Sequence, residues 1–138
     1  MDETISVVLF SGTDDKLQSA AVLVAGAAAL GKPVRILLQY WALRAFTNER
    51  MGKSNGYCPE AGDSGRAAFE AAAAGAGLAS WADTMRAAKE LGDVDIAACS
   101  QSMDVLKLVP ADLDPMVGGV QGVAAFYLNA GEGQIVFI

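Results

Sequence analysis

The chain reads as an α/β protein, a three-layer α/β/α sandwich around a mainly parallel sheet of about five strands. Three observations carry that reading. Short, β-branched apolar runs alternate with longer segments of helical periodicity. The first such unit, from Ile5 to Tyr40, is strand, helix, strand, a connection suited to a parallel crossover rather than a hairpin. The strand candidates are nearly continuous apolar runs, as expected when both faces of a sheet are covered.

Ile5 to Phe10 (ISVVLF) is the first strand, bounded by Ser11-Gly12-Thr13. Thr13 is placed to cap a helix from Asp14 to Leu30, with Asp14 and Asp15 favourable in its first turn. Leu17, Ala20, Ala21, Val24, Ala27 and Ala28 share one face of it, and Gly31 stops it. Val34 to Tyr40 is the second strand, and Trp41 to Phe46 starts a helix. Asn48 to Gly65 is rich in Gly, Asn and small polar residues, marking an irregular connection. The alanine-rich Arg66 to Gly77 suits either a helix or a lid, so an irregular insertion is expected at about 48–77 within one domain spanning 1–138. Ser80 caps a helix from Trp81 to Leu91, stopped by Gly92. The stretch from Asp93 to Cys99 is a buried strand, followed by a short helix from Gln101 to Leu106. Met116 to Val120 suggests a short strand, Gly122 to Ala130 a helix, and Gln134 to Ile138 a last strand.

Hydrophobic residues make up 53% of the chain and charged residues 19%, an apolar surplus that suits subunit interfaces as well as a core. The net charge of −6 argues against a nucleic-acid partner and against an anionic membrane surface. No apolar run reaches the length of a membrane span, and the start of the chain carries acids rather than a basic, apolar leader. A cytoplasmic location with both cysteines reduced is therefore expected. With no histidine, Ser-His-Asp and Cys-His catalysis and histidine-based zinc sites are excluded within one chain. Neither a metal nor a cofactor is expected.

Chemistry then centres on Cys99, at the end of a strand and the start of a helix. Strand ends in parallel sheets collect reactive groups, and a helix N-terminus favours a thiolate. The competing reading is a small buried hydrophobe. Asp104 either stabilises the helix start or opposes the thiolate, and Lys16 supplies a compensating charge or is simply exposed. Ser11-Gly12-Thr13, Tyr40-Trp41 and Cys99-Ser100 follow three strands and should share one sheet edge. Ser11-Gly12-Thr13 is either an anion-binding turn or a tight turn with a helix cap. Trp41 is either a pocket wall or a packing anchor. A phosphatase-like loop would need an arginine where Val105 stands, and a peroxidatic cysteine a threonine where Ile96 stands. Neither cysteine forms a C-x-x-C pair, and Cys58 lies in the irregular segment. A thiolate that accepts and hands on sulfur remains compatible with the residues, since it needs only a suitable pKa and access.

Several segments in order carry a resemblance: Val8-Leu9-Phe10-Ser11-Gly12-Thr13 with Lys16-Leu17, Ala28-Leu30-Gly31, Tyr40-Trp41-Ala42-Leu43, Ala98-Cys99-Ser100-Gln101-Ser102-Met103-Asp104, Gly118-Gly119-Val120, Val123-Ala124-Ala125-Phe126 and Val136-Phe137-Ile138. The set resembles the DsrE/DsrF/DsrH-like sulfur-relay family, in its DsrE-like "peroxiredoxin family protein" branch. The Cys-Ser-x-Ser-Met-Asp segment is the most specific part, and the likeness spans the chain outside 48–77. The resemblance implies a five-stranded α/β/α fold and oligomers built on trimers. It implies that Cys99 carries sulfur, as a persulfide or thiosulfonate, between a rhodanese-like donor and a small sulfur-carrier protein. Ser100 and Gln101 amides would support the thiolate, alongside Ser102, Met103 and Asp104. Ser11, Gly12, Thr13, Lys16 and Trp41 would shape the pocket. No family role falls on Cys58, and Ile96 speaks against reading the branch label as peroxidase activity. The alternative is a non-catalytic assembly or regulatory subunit with an inert Cys99.

Overall fold

The computed structural model describes residues 3–138. Strands β1 (Ile5–Leu9), β2 (Val34–Leu38), β3 (Val94–Cys99), β4 (Gly119–Gln121) and β5 (Gln134–Phe137) form one sheet in the order β4-β3-β2-β1-β5. Every pairing in it is parallel. The helices are α1 (Asp14–Ala29), α2 (Tyr40–Ala45), α3 (Gly62–Ala76), α4 (Trp81–Leu91), α5 (Ser100–Leu106) and α6 (Val123–Ala130). The architecture is the expected three-layer α/β/α sandwich, and no described helix is long and apolar enough to cross a membrane.

Local chemistry explains most element ends. Ser80 Oγ accepts from the Asp83 N–H at 3.1 Å and caps α4. Thr13 holds the N-cap position of α1, but its hydroxyl makes no bond to a helix amide and instead meets Ser11 Oγ at 3.3 Å. Gly31, with φ +75°, turns the chain out of α1 where an L side chain would be strained.

Two expectations change. The strand placed at Met116 to Val120 forms later, at Gly119–Gln121. Asp114 folds the preceding residues into a turn, its side chain accepting from Met116 N at 2.9 Å and its carbonyl from Val117 N at 2.9 Å. The insertion at about 48–77 is irregular only in its first half. The alanine-rich remainder forms α3, where alanine propensity outweighs Gly65 and Gly75. α3 buries no side chain of its own; Phe69 meets Tyr57 edge-on at 5.6 Å.

Right-handed crossovers decide which face each helix covers. The chain steps in one direction from β1 through β2 and β3 to β4, so α1 and α4 lie on one face. There Leu17, Ala20, Val24, Trp81 and Met85 pack on Val7, Leu9, Ile36, Leu38, Ile96 and Ala98. Met103 of α5 and Leu43 and Phe46 at α2 join the same core. From β4 the chain returns across the whole sheet to β5, which carries α6 over the opposite face. That face buries a smaller group, Leu37, Cys99 and Phe126, with Val8 partly buried against it.

α6 is too small to close that face. A helix is about 10 Å wide, and five strands at about 4.8 Å spacing span about 19 Å. Phe137 and Ile135 on β5 stay 66% and 46% exposed, and Tyr127 and Leu128 on α6 are exposed beside them. The return from α6 into β5 passes close to β1: a Cβ on Gly133 would lie 2.1 Å from the Thr4 carbonyl oxygen. Gly133→Ala is therefore expected to cost about 1–3 kcal/mol by overpacking backbone, measured as a lower urea midpoint with unchanged slope.

Candidate functional site

Parallel register brings three strand ends level. Leu9 pairs with Leu38, and Leu38 with Ala98, so Phe10, Gln39 and Cys99 follow side by side at one rim. Ala98 faces the α1 and α4 core; Cys99, one residue on, faces the opposite way, under α6. Its side chain sits against Leu37 and Phe126 and is 1% exposed. Gln121 of β4 pairs level with Cys99. Gln121 and Phe126 also line a cavity of about 330 Å³ with Arg35, Asp95, Ala97 and Asn129.

Cys99 holds the N-cap position of α5, with extended backbone. Burial is the largest influence on its thiol and pushes the pKa up. The Ser102 hydroxyl, the Ser102 amide, the Gln39 side chain and the Gln101 amide together outweigh it, so the thiol lies below the ordinary range. Gln39 Nε2 donates to Sγ at 3.8 Å. Ser102 Oγ is fully buried and makes no hydrogen bond among the described residues. A buried hydroxyl left unpaired costs about 1–3 kcal/mol, and an ionised sulfur would recover part of that by accepting from it.

The turn that delivers Gln39 is strained. Tyr40 has φ +39°, unusual for a residue with a Cβ. Such strain costs about 1–3 kcal/mol and persists where the surroundings enforce it. Here Gln39 N donates to Leu9 O at 2.8 Å, and Tyr40 Oη donates to Gln101 Oε1 at 2.9 Å. One turn of chain thus aims a donor at the sulfur and ties α2 to α5.

The expected site residues divide into groups. Gln101 and Ser102 support the sulfur through their amides, and Ser102 through its hydroxyl as well. Ser100 is exposed, at the first position of α5. Met103 packs into the α1 and α4 core instead of the site. Asp104 is not in the first turn of α5. It lies in the last turn with its side chain exposed and its carbonyl accepting from Lys107 N at 3.2 Å. Lys16 is exposed and makes no ion pair among the described residues.

Ser11, Gly12, Thr13 and Trp41 do share a cavity, of about 530 Å³, but Cys99 is not in its lining. Gly12 is required there, because a Cβ would lie 2.2 Å from the Trp41 carbonyl oxygen. Cys58 is separate again. Its amide donates to the Asp15 carboxylate at 3.1 Å, and its thiol bonds the same group, which together with burial and the nearby negative charge pushes its pKa up.

Gln39, Tyr40, Gln121 and Phe126 were not among the expected site residues. Gln39 had a signal, a polar side chain ending the apolar run Ile36–Leu38. Tyr40 falls on the sheet edge expected to hold Cys99-Ser100, while no signal marked Gln121 or Phe126, whose proximity depends on register and on the path of α6.

The fold is shared with known structures. No protein-family model and no curated protein matches the chain. Among solved structures, a protein of unknown function, MTH1491 from Methanobacterium thermoautotrophicum, is 14% identical with a TM-score of 0.56, over 99% of this chain and 100% of that one. The ychN protein from E. coli is likewise 14% identical with a TM-score of 0.56, over 100% of both chains. At that identity the likeness is one of fold.

The two thiols should titrate in opposite order. Alkylation followed by peptide mass spectrometry is expected to give a pH–rate midpoint for Cys99 below that for Cys58. Ser102→Ala should move the Cys99 midpoint up and leave that of Cys58 in place. Because the folded Cys99 pKa is depressed, its ionisation stabilises the fold above the unfolded thiol pKa. That contribution disappears as pH falls through the folded value.

Proposed function

We propose that the protein is a sulfur carrier, holding sulfur on Cys99 as a persulfide or thiosulfonate between partner proteins. The observation that carries this reading is the thiol itself: a buried cysteine whose pKa is lowered by converging donors rather than raised. An inert packing cysteine needs no such donors, and here Gln39, Gln101 and Ser102 supply them from two elements. The resemblance to the DsrE/DsrF/DsrH-like family supports the same reading, and the shared fold is compatible with it. A rhodanese-like donor and a small sulfur-carrier acceptor are the partners this reading calls for.

The chemistry is thiol exchange. The Cys99 thiolate attacks the outer sulfur of a donor persulfide, the S–S bond to the donor breaks, and the donor leaves as thiolate. The new persulfide sits at the start of α5, where amides stabilise negative charge. An acceptor thiolate then attacks the outer sulfur and Cys99 leaves as thiolate. With Cys99 1% exposed, each exchange requires α6 to move aside, and glycines bound that helix at Gly122 and Gly131.

The apolar face left open by α6 supports a homo-oligomer, with a trimer or a multiple of three as the reading the family resemblance favours. Phe137, Ile135, Tyr127 and Leu128 would be covered in it. A charged side chain among them, as in Phe137→Glu, is expected to lower the mass measured by light scattering without lowering helix content.

Intact-mass measurement after treatment with a low-molecular-weight persulfide or tetrathionate tests the carrier reading. An adduct is expected on the wild type and on Cys58→Ser, and none on Cys99→Ser. Equal modification of Cys99→Ser would sink the proposal and favour the alternative, an assembly subunit with an inert cysteine.

A further inference from the structure

The cavity of about 530 Å³ beside the β1 and β2 ends is separate from Cys99 and has a composition of its own. Its lining includes Arg44, Arg50, Ser11, Thr13 and Trp41, and no carboxylate. The protein is acidic, with sixteen Asp and Glu against ten Lys and Arg. Its arginines are accordingly paired where they can be: Arg35 with Asp93 and Asp95, Arg66 with Glu70, and Arg86 with Asp83 and Asp114. The two remaining arginines, Arg44 and Arg50, make no ion pair among the described residues, and both line this cavity as well as a smaller one of about 260 Å³ that also includes Glu49.

Arg50 is held by neutral acceptors, with Nε to Asn55 Oδ1 at 3.3 Å and Nη2 to the Ser54 carbonyl, so its position is fixed while its charge is unbalanced. Arg44 projects from the last turn of α2, and its side chain makes no hydrogen bond among the described residues. Glu49, on a neighbouring cavity, pairs with neither arginine, and the acids at the start of α1 are taken up by hydrogen bonds. Asp14 accepts from Ser54 and Asn55, and Asp15 from Cys58. The indole of Trp41, 53% exposed, supplies an apolar wall. A guanidinium pair with adjacent hydroxyls matches a tetrahedral oxyanion, and a cavity within about 300–1,000 Å³ has room for an organic body.

We propose that this cavity binds a small organic phosphate or sulfonate, its oxyanion held by Arg44 and Arg50 and its body against Trp41. The site is independent of sulfur carriage at Cys99, and the two readings fail separately.

The test is titration calorimetry with phenyl phosphate and benzenesulfonate, and with inorganic phosphate and benzyl alcohol as bare anion and neutral body, all at fixed ionic strength in chloride. Saturable binding of phenyl phosphate is expected, tighter than that of inorganic phosphate or benzyl alcohol. Arg44→Gln should weaken it about tenfold, the loss of one charge-assisted contact. Arg66→Gln, which removes the same charge far from the cavity, and Cys99→Ser should bind as the wild type does. Trp41→Ala should abolish the advantage over inorganic phosphate. Absence of saturable binding at millimolar phenyl phosphate and benzenesulfonate would overturn the proposal. So would equal weakening by Arg66→Gln, which would reduce the effect to net charge. Circular dichroism of each variant confirms that the fold is present when binding is scored.

Discussion

The handedness of the crossover connections governs this molecule more than any single contact. Three successive steps in one direction send α1, α4 and α5 toward one side of the sheet, and the long return to β5 leaves the other side to α6. The result is a thick core on one face and a thin cover on the other. Strand alternation then allots Ala98 to the thick face and Cys99 to the thin one. A cysteine one position earlier would be locked beneath α1 and α4. At its actual position it is covered by one eight-residue helix between glycines.

The environment of the sulfur is a contest between opposing effects of similar kind. Leu37 and Phe126 exclude water and favour the neutral thiol, while a short ring of donors favours the thiolate. The donors prevail because they come from separate elements already fixed for other reasons. Gln39 is set by the strained turn at Tyr40, and Ser102 by the first turn of α5. The Tyr40 hydroxyl on Gln101 couples those two sources, so the strain and the donors belong to one unit.

Much of the fold was legible in the sequence because it rests on local signals. The apolar runs at Ile5, Val34 and Val94 and the glycine stops at Gly31 and Gly92 mark elements wherever they occur. β4 was harder to place, since three residues carry no periodicity and an aspartate turn moved its start. Half of the candidate site was visible for the same reason: Cys99, Gln101 and Ser102 are adjacent in the chain. The side of the sheet on which each residue lies was not visible. That is why Ser11, Gly12, Thr13 and Trp41, read as the walls of the Cys99 pocket, line a different cavity. Asp104, near the cysteine in the chain, lies beyond the first turn of α5 with its side chain exposed.

α3 stands apart from all of this. Its fifteen residues bury no side chain, and glycines with positive φ, Gly62 and Gly77, stand at its two ends. It meets the segment before it through Phe69 and Arg66 on the Tyr57 ring, and the buried core contains none of its residues. Selection can act on it only through what its outer surface meets. It is the part of the chain where additions, losses and substitutions can accumulate without passing through the stability of the sheet.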